Sequence, residues 1–514
     1  MNKADVSSAF FMRYKMDNVI IVGGGSSGWL SACILASQFS KRNLSINITL
    51  IESPTIKTIG VGEGTVPSMR STLESIGVSE TDFIRECNVT LKQSVKFINW
   101  TSKCEDGFYH HPFDIPFSLK CSLTEESKSY SDVVGIQSFL CENNVSPKTL
   151  KNTEYKGEHE YAYHLDSVKF GEFLAKHGVE KLSINHIKAN VDAVNVENGL
   201  IKSLKLDSEK FVTADLFIDC SGFSSVLLGK ALEVPFINKS NQLLIDSALA
   251  LQVPYDNEDE EIPCYTKATA CQHGWIWDIG LQTRRGTGYV YSSKYSTEEQ
   301  VAEKFSEYLE IPLEDLKYRK IKMSVGYRSH MWVGNCVGIG LSSGFVEPLE
   351  ATALLMVEST TKLLAELLPV SAKHIEYPKN KYNNIVVDAW EKVIDFIKLH
   401  YVLSDRDDSE FWREQTKIET ASEKLKQALA YWEFHAPTAS DFKTDYDIFK
   451  LENYQYILFG MKYFPKNDYM KNQYCSIEKN QFFNDLNDYK QKKLYKSISH
   501  RAFIDSVKSY RMKK

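Results

Sequence analysis

The stretch from Asn18 to Glu52 constrains the fold more than any other part of the chain. An apolar run NVIIV leads into the glycine turn GGGSSG, an apolar helical stretch WLSACILASQF, and a second apolar run ITLIE. Strand, turn, helix and strand in that order place two parallel strands in one sheet, with the helix crossing over between them. Gly23, Gly25 and Gly28 form GxGxxG at the turn. Glycines at this spacing permit a tight turn, close approach of backbone to a pyrophosphate, and close packing of helix on strand. Phosphates would rest on the free N–H groups where the helix begins, around Ser26 and Ser27. Glu52 stands 24 residues after Gly28, at the end of the second run, where a carboxylate can accept hydrogen bonds from a ribose. The pattern therefore predicts a dinucleotide site.

Further strand-like segments, Ser94–Trp100, Leu216–Cys220, Ser247–Val253 and Trp332–Ile339, are far apart, so the sheet is expected to gather distant parts of the chain. Residues 18–369 are accordingly read as one α/β body. After Pro369 the character changes. Val386, Trp390, Val393 and Ile397 recur at the spacing of one helix face, and Phe503, Ile504 and Val507 suggest a terminal helix. Residues 370–514 are read as a helical region packed on the body, and residues 1–17 as a flexible extension.

Composition excludes several function classes. The chain has 514 residues, 43% hydrophobic and 25% charged, which is ordinary for a globular protein with a sizeable core. A formal charge of -6 gives no long-range attraction to nucleic acid. No run of about eighteen apolar residues is present to span a membrane, so no membrane partner is expected. Ten scattered cysteines without CxxC spacing argue against a metal site or a disulfide framework, and favour a reduced, cytoplasmic protein.

Two later segments suit a flavin better than a nicotinamide. ADLFIDCSGF (Ala214–Phe223) is a strand ending in Ser-Gly, and VGNCVGIGLSSGFVEPLEAT (Val333–Thr352) runs from a strand through a glycine-rich turn, with Gly340 and Ser342, into a helix. Joined to these are GGGSSGW (Gly23–Trp29), IGVGEGTVPS (Ile59–Ser68, including Val61, Gly62 and Glu63), ECNVTLKQSVKFINW (Glu86–Trp100), YAYHLD (Tyr161–Asp166), GWIWDIGL (Gly274–Leu281), GTGYVYSS (Gly286–Ser293) and FVEPLEAT (Phe345–Thr352). Together these motifs resemble the flavin-dependent halogenases of the tryptophan-halogenase family, from about Asn18 to about Pro465.

The resemblance implies an α/β fold, with an FAD-binding, Rossmann-like body of the flavoprotein monooxygenase type and a mostly helical C-terminal part. It also implies an enzyme that uses FAD as FADH2, molecular oxygen and a halide ion to make hypohalous acid, which reaches a small aromatic substrate through a tunnel. By position in the motifs the essential lysine is Lys92 and the proton-accepting glutamate is Glu350. On residue type alone Lys96 is an equal candidate, as is Glu347, and only the resemblance selects between them. Both types suit the chemistry: an amine donates to hypohalite oxygen and shifts its pKa when buried, and a carboxylate serves as base.

The helix following Pro348 offers free N–H groups near Thr352 and Ala353 as a halide site. The family commonly has Thr-Gly there. An added methyl would matter if the backbone needed positive φ, and it motivates an expected preference for bromide or iodide over chloride. Trp275, Trp277 and Ile279 match the family's WxWxI pattern, which separates substrate from flavin. Tyr454 and Tyr456 are the nearest counterpart of the tyrosine pair that grips free tryptophan, yet no acid follows through Pro465. A zwitterion is therefore not the expected guest, and an indole or phenol is. With no second GxGxxG, a separate flavin reductase is expected to supply the reduced cofactor. The alternatives are a flavin monooxygenase that hydroxylates or epoxidises an aromatic, and an FAD-binding protein without turnover.

Overall fold

The computed structural model describes residues 16–56, 60–117, 129–369, 374–442, 447–466 and 479–513. Most of the extension expected at the N-terminus, and Ile59 of the second motif, lie outside the described residues.

The Asn18–Glu52 unit folds as the spacing predicts. Strand Asn18–Val22 pairs in parallel with Asn47–Glu52 and with Leu216–Asp219, and helix Ser26–Lys41 crosses between the first two. The six-stranded sheet runs in the order Trp332–Val333, Cys336–Gly338, Leu216–Asp219, Asn18–Val22, Asn47–Glu52, Asn185–Lys188. Its central strands are covered on both faces, so they read as continuous apolar runs rather than alternating ones.

Two details differ from the expectation. Trp332–Ile339 is not one strand, because Gly334 turns at φ +55 and folds it into an antiparallel hairpin. The segments beginning at Ser94 and Ser247 belong to a second sheet instead of the dinucleotide sheet. Apolar content marks a strand but carries no information about which sheet will hold it.

This second, seven-stranded sheet has the order Arg319–Lys322, Ser247–Pro254, Arg284–Tyr291, Gly274–Gly280, Tyr265–Cys271, Ser94–Ile98, Phe108–Pro112. All its neighbours are antiparallel except Tyr265–Cys271 with Ser94–Ile98. A small antiparallel sheet, Gly62–Gly64, Ala162–Asp166 and Thr90–Lys92, carries Lys92 at its edge.

The C-terminal part is helical where described. Helix Glu376–Leu403 buries Val386, Trp390, Val393 and Ile397, and helix His500–Ser509 buries Phe503, Ile504 and Val507. The principal apolar cluster includes residues from Met16 to Met512 and ties these helices to both large sheets. Among the described residues no helix is long and apolar enough to cross a membrane.

Candidate active site

A cavity of about 640 Å³ opens at the carboxyl ends of the dinucleotide strands, where ligands bind in open α/β sheets. Its wall is built for a chain that must come very close. A Cβ on Gly23, whose φ is +122, would lie 2.2 Å from the Cys220 carbonyl oxygen, and one on Gly24 would lie 2.2 Å from Glu52 Cγ. Gly28 packs its bare Cα on the Gly23 carbonyl, at a distance no Cβ could occupy. Helix Ser26–Lys41 begins with no side-chain cap and no acid in its first turn, so its positive end faces the cavity unneutralised.

Gly23, Gly25, Ser26, Ser27 and Glu52 line the cavity at this end. The Ser26 hydroxyl is already committed to the Ser167 carbonyl at 2.9 Å, leaving its backbone N–H for a ligand. Glu52 stands 2.8 Å from His186 Nε2. The chemistry of this donor set fits the phosphates and ribose of FAD. Val61, Gly62 and Glu63 form a second stretch of wall, and burial pushes the Glu63 carboxyl up to about 7. Gly340 also lines the cavity, but Ser342 does not: its buried hydroxyl donates to the carbonyls of Ile339 and Asp219 and fastens the turn from behind.

The same cavity reaches Lys92. Strand pairing of Thr90–Lys92 with Ala162–His164 turns this side chain inward, where it is 1% exposed. Nζ donates to the Thr65 carbonyl at 3.3 Å and stands 5.3 Å above the Phe113 ring. Burial pushes the ammonium down from 10.5 to about 8, against an opposing pull from Glu350. Lys96 has a different fate. It projects from the neighbouring strand to Glu142 at 2.7 Å and lies over the Phe108 ring, outside the cavity.

The two glutamates differ in their partners, and neither lines the cavity. Glu350 is buried and accepts from His111 Nδ1 at 3.0 Å and His400 Nε2 at 2.9 Å. Burial opposes its ionisation, but the two histidines outweigh that and hold the carboxyl at about 2. Glu347 accepts from Trp275 Nε1 at 2.7 Å and Tyr401 Oη at 2.6 Å, and burial pushes it up to about 7. Between Glu350 and helix Thr352–Leu367, Ala351 takes φ +56. The left-handed residue of this turn is thus Ala351 and not Ala353, so the methyl of Ala353 is unstrained. Ala351, Thr352 and Ala353 all face the cavity, and the helix again starts without a side-chain cap.

Of the WxWxI residues, Trp277 and Ile279 line the cavity, with the Trp277 ring lying on Gly288. Trp275 is packed against Trp100 and bonded to Glu347, away from it. Tyr454 and Tyr456 do not reach the cavity either. Tyr454 packs among Phe396, Trp432 and Phe442, and Tyr456 donates to the Asp114 carbonyl at 2.8 Å. Both sit on helix Leu451–Gly460, whose residues from Tyr454 to Gly460 are buried.

Compared with known proteins, the chain matches the tryptophan halogenase family over residues 18–475. It belongs to that family. Among its relatives, the tryptophan 7-halogenase of Lentzea aerocolonigenes is 33% identical over 494 residues, covering 88% of this chain and 91% of the relative. The tryptophan 6-halogenase of Streptomyces toxytricini is 33% identical, covering 86% and 89%. A crystal structure of the tryptophan halogenase from Shewanella frigidimarina is similar with a TM-score of 0.90 and 36% identity, covering 97% of this chain and 99% of the other. This halogenase is therefore an FADH2-dependent enzyme that consumes halide and oxygen, on the α/β fold expected.

Three residues of the halogenase site escaped notice in the sequence. His111 and Phe113 come from HHPF at the end of edge strand Phe108–Pro112, and His400 interrupts the apolar face of a long helix. A lone histidine among apolar residues gives no spacing signal, and only folding brings His111 and His400 to one carboxylate.

Proposed function

We propose that this halogenase oxidises halide to hypohalous acid and delivers it past Lys92 to an electron-rich aromatic, such as an indole or a phenol, that is neutral or anionic. The observation that carries this reading is the single cavity that runs from the glycine turn to Lys92 and Thr352. FAD, when bound and reduced, supplies together with oxygen the oxidising equivalents for the halide.

The chain's own groups divide the remaining work. Backbone N–H groups at Thr352 and Ala353 hold the halide at a positive helix end. Trp277 and Ile279 wall the flavin end from the substrate end and exclude water. Lys92, with its pKa near 8, donates to the hypohalite oxygen in a dry site where a hydrogen bond is strong. Glu350 stays ionised and accepts the proton that leaves the halogenated ring.

No Asp or Glu occurs between Tyr456 and Pro465, and a buried ammonium without a carboxylate partner is costly. This supports a guest other than free tryptophan. Preference for bromide or iodide over chloride rests on Ala353, whose methyl makes the anion's seat more apolar and favours ions that shed water easily. A separate reductase supplies the FADH2.

The test is halide-dependent turnover with FAD, a flavin reductase and NADH, read by mass spectrometry against tryptophan and simple indoles and phenols, with the halides in competition. Halogenated indoles or phenols are expected, and Lys92→Ala abolishes them while flavin reoxidation continues. Exclusive turnover of tryptophan rejects the substrate reading, and oxygenated product without halide rejects the reaction.

A further inference from the structure

The hydrogen atoms available to the two histidines on Glu350 can be counted. Oδ1 of Asn453 accepts from the Lys450 backbone N–H at 2.8 Å, so the Nδ2 of that amide faces His111 Nε2, at 3.1 Å. An amide nitrogen only donates. His111 Nε2 therefore accepts, and the single proton of a neutral ring lies on Nδ1, directed at Glu350.

His400 has no equivalent freedom. Its Nδ1 lies 2.8 Å from the Phe396 carbonyl oxygen and its Nε2 lies 2.9 Å from Glu350 Oε1. A carbonyl only accepts, so Nδ1 carries hydrogen. A neutral ring would then turn a bare Nε2 lone pair toward a carboxylate oxygen. The contact needs one proton more than a neutral imidazole and a carboxylate possess.

We infer that His400 holds this extra proton as an imidazolium, and is the positioning residue that keeps the Glu350 carboxylate ionised and fixed in place between the cavity-lining residues Leu349 and Ala351. Two observations place the proton on the ring rather than on Glu350. His400 lies in the last turn of helix Glu376–Leu403, whose carbonyl end favours a cation. The Phe396 carbonyl adds a second acceptor on the ring's other side.

Lys92, on its short strand, attracts Glu350 and opposes a second cation nearby. Tyr109, on strand Phe108–Pro112, is kept neutral because burial pushes its phenol well up. The faces toward Phe97 and Trp100 are aromatic rings, 5.0 and 6.2 Å away, which tolerate a cation but do not neutralise it. Glu347 is engaged with Trp275 and Tyr401. With His400 charged, the carboxylate is matched from behind, and Lys92 remains to act on the oxidant.

The catalytic consequence rests on the role proposed for Glu350, but the protonation state does not, and the two are tested separately. Neutron diffraction from deuterium-exchanged crystals of the full chain, at neutral to mildly alkaline pD, is expected to show deuterium on both ring nitrogens of His400 and none on Glu350. A bare Nε2, or deuterium on Glu350, overturns the inference whether or not the protein halogenates. His400→Gln keeps a donor but cannot carry charge. It is expected to lower kcat at least about tenfold with FAD affinity unchanged, and to raise the acidic limb of the kcat–pH profile by about one pH unit or more. A His400→Gln enzyme with the parent kcat and the parent pH profile refutes the positioning role.

Discussion

Replacing Lys92 by Met should make the folded protein more stable while ending halogenation. The ammonium's fall from 10.5 to about 8 means that the folded state disfavours the protonated lysine by about 3 kcal/mol, at about 1.4 kcal/mol per pH unit. Between these two values the unfolded chain holds the proton and the folded chain has released it, so stability rises with pH across that window. Below pH 8 the whole penalty weighs on the fold. Met fills similar volume without charge, but the Thr65 carbonyl loses its 3.3 Å donor, which costs about 1 kcal/mol. The net expectation is a gain of about 2 kcal/mol near pH 7, which shrinks and then reverses as pH climbs toward 10.5. Urea unfolding of both proteins, followed by tryptophan fluorescence across this range, measures the difference directly. A Met variant no more stable than its parent near neutrality, or a difference that does not change with pH, would refute the reasoning.

Lys96→Ala removes an amine bound to Glu142 on the far side of the strand, and should leave halogenation within about twofold, since such partly exposed pairs contribute little; a loss as deep as that of Lys92→Ala would contradict the placement. Gly288→Ala puts a Cβ 2.0 Å from the Trp277 ring and forces the indole into the cavity, so flavin fluorescence titration should show FAD affinity lowered by about tenfold or more, the equivalent of about 1–3 kcal/mol of overpacking. Glu347 is held up at about 7 from its ordinary 4.5, so the folded protein keeps a proton that the unfolded chain releases; relative to Glu347→Gln, the parent should lose about 3 kcal/mol of stability as pH rises through that interval, and parallel stability curves would count against it.

The dinucleotide half of the site was readable because its requirements are local. Gly23, Gly24 and Gly28 face atoms that no Cβ could meet, and the strand, helix and acid that accompany them lie within one supersecondary unit. The substrate half was only partly readable. Trp275 and Trp277 share a motif and a strand face, yet one is bonded to Glu347 and the other walls the cavity. Tyr454 and Tyr456 have the right residue type, but both are buried in packing contacts away from the cavity. Ser342 lies in the right turn with its hydroxyl directed away from the ligand.

From the order of its residues alone, this chain is committed to a parallel dinucleotide sheet, to a second glycine turn before a helix, and to the motifs of its family, because each depends on neighbours a few positions apart. Which lysine is buried, which glutamate receives two histidines, and where the left-handed turn falls were decided only when His111, Glu350 and His400 came together from three separate elements. Protonation energies depend on distance and on exclusion of water, and neither exists until the chain has closed around the groups concerned.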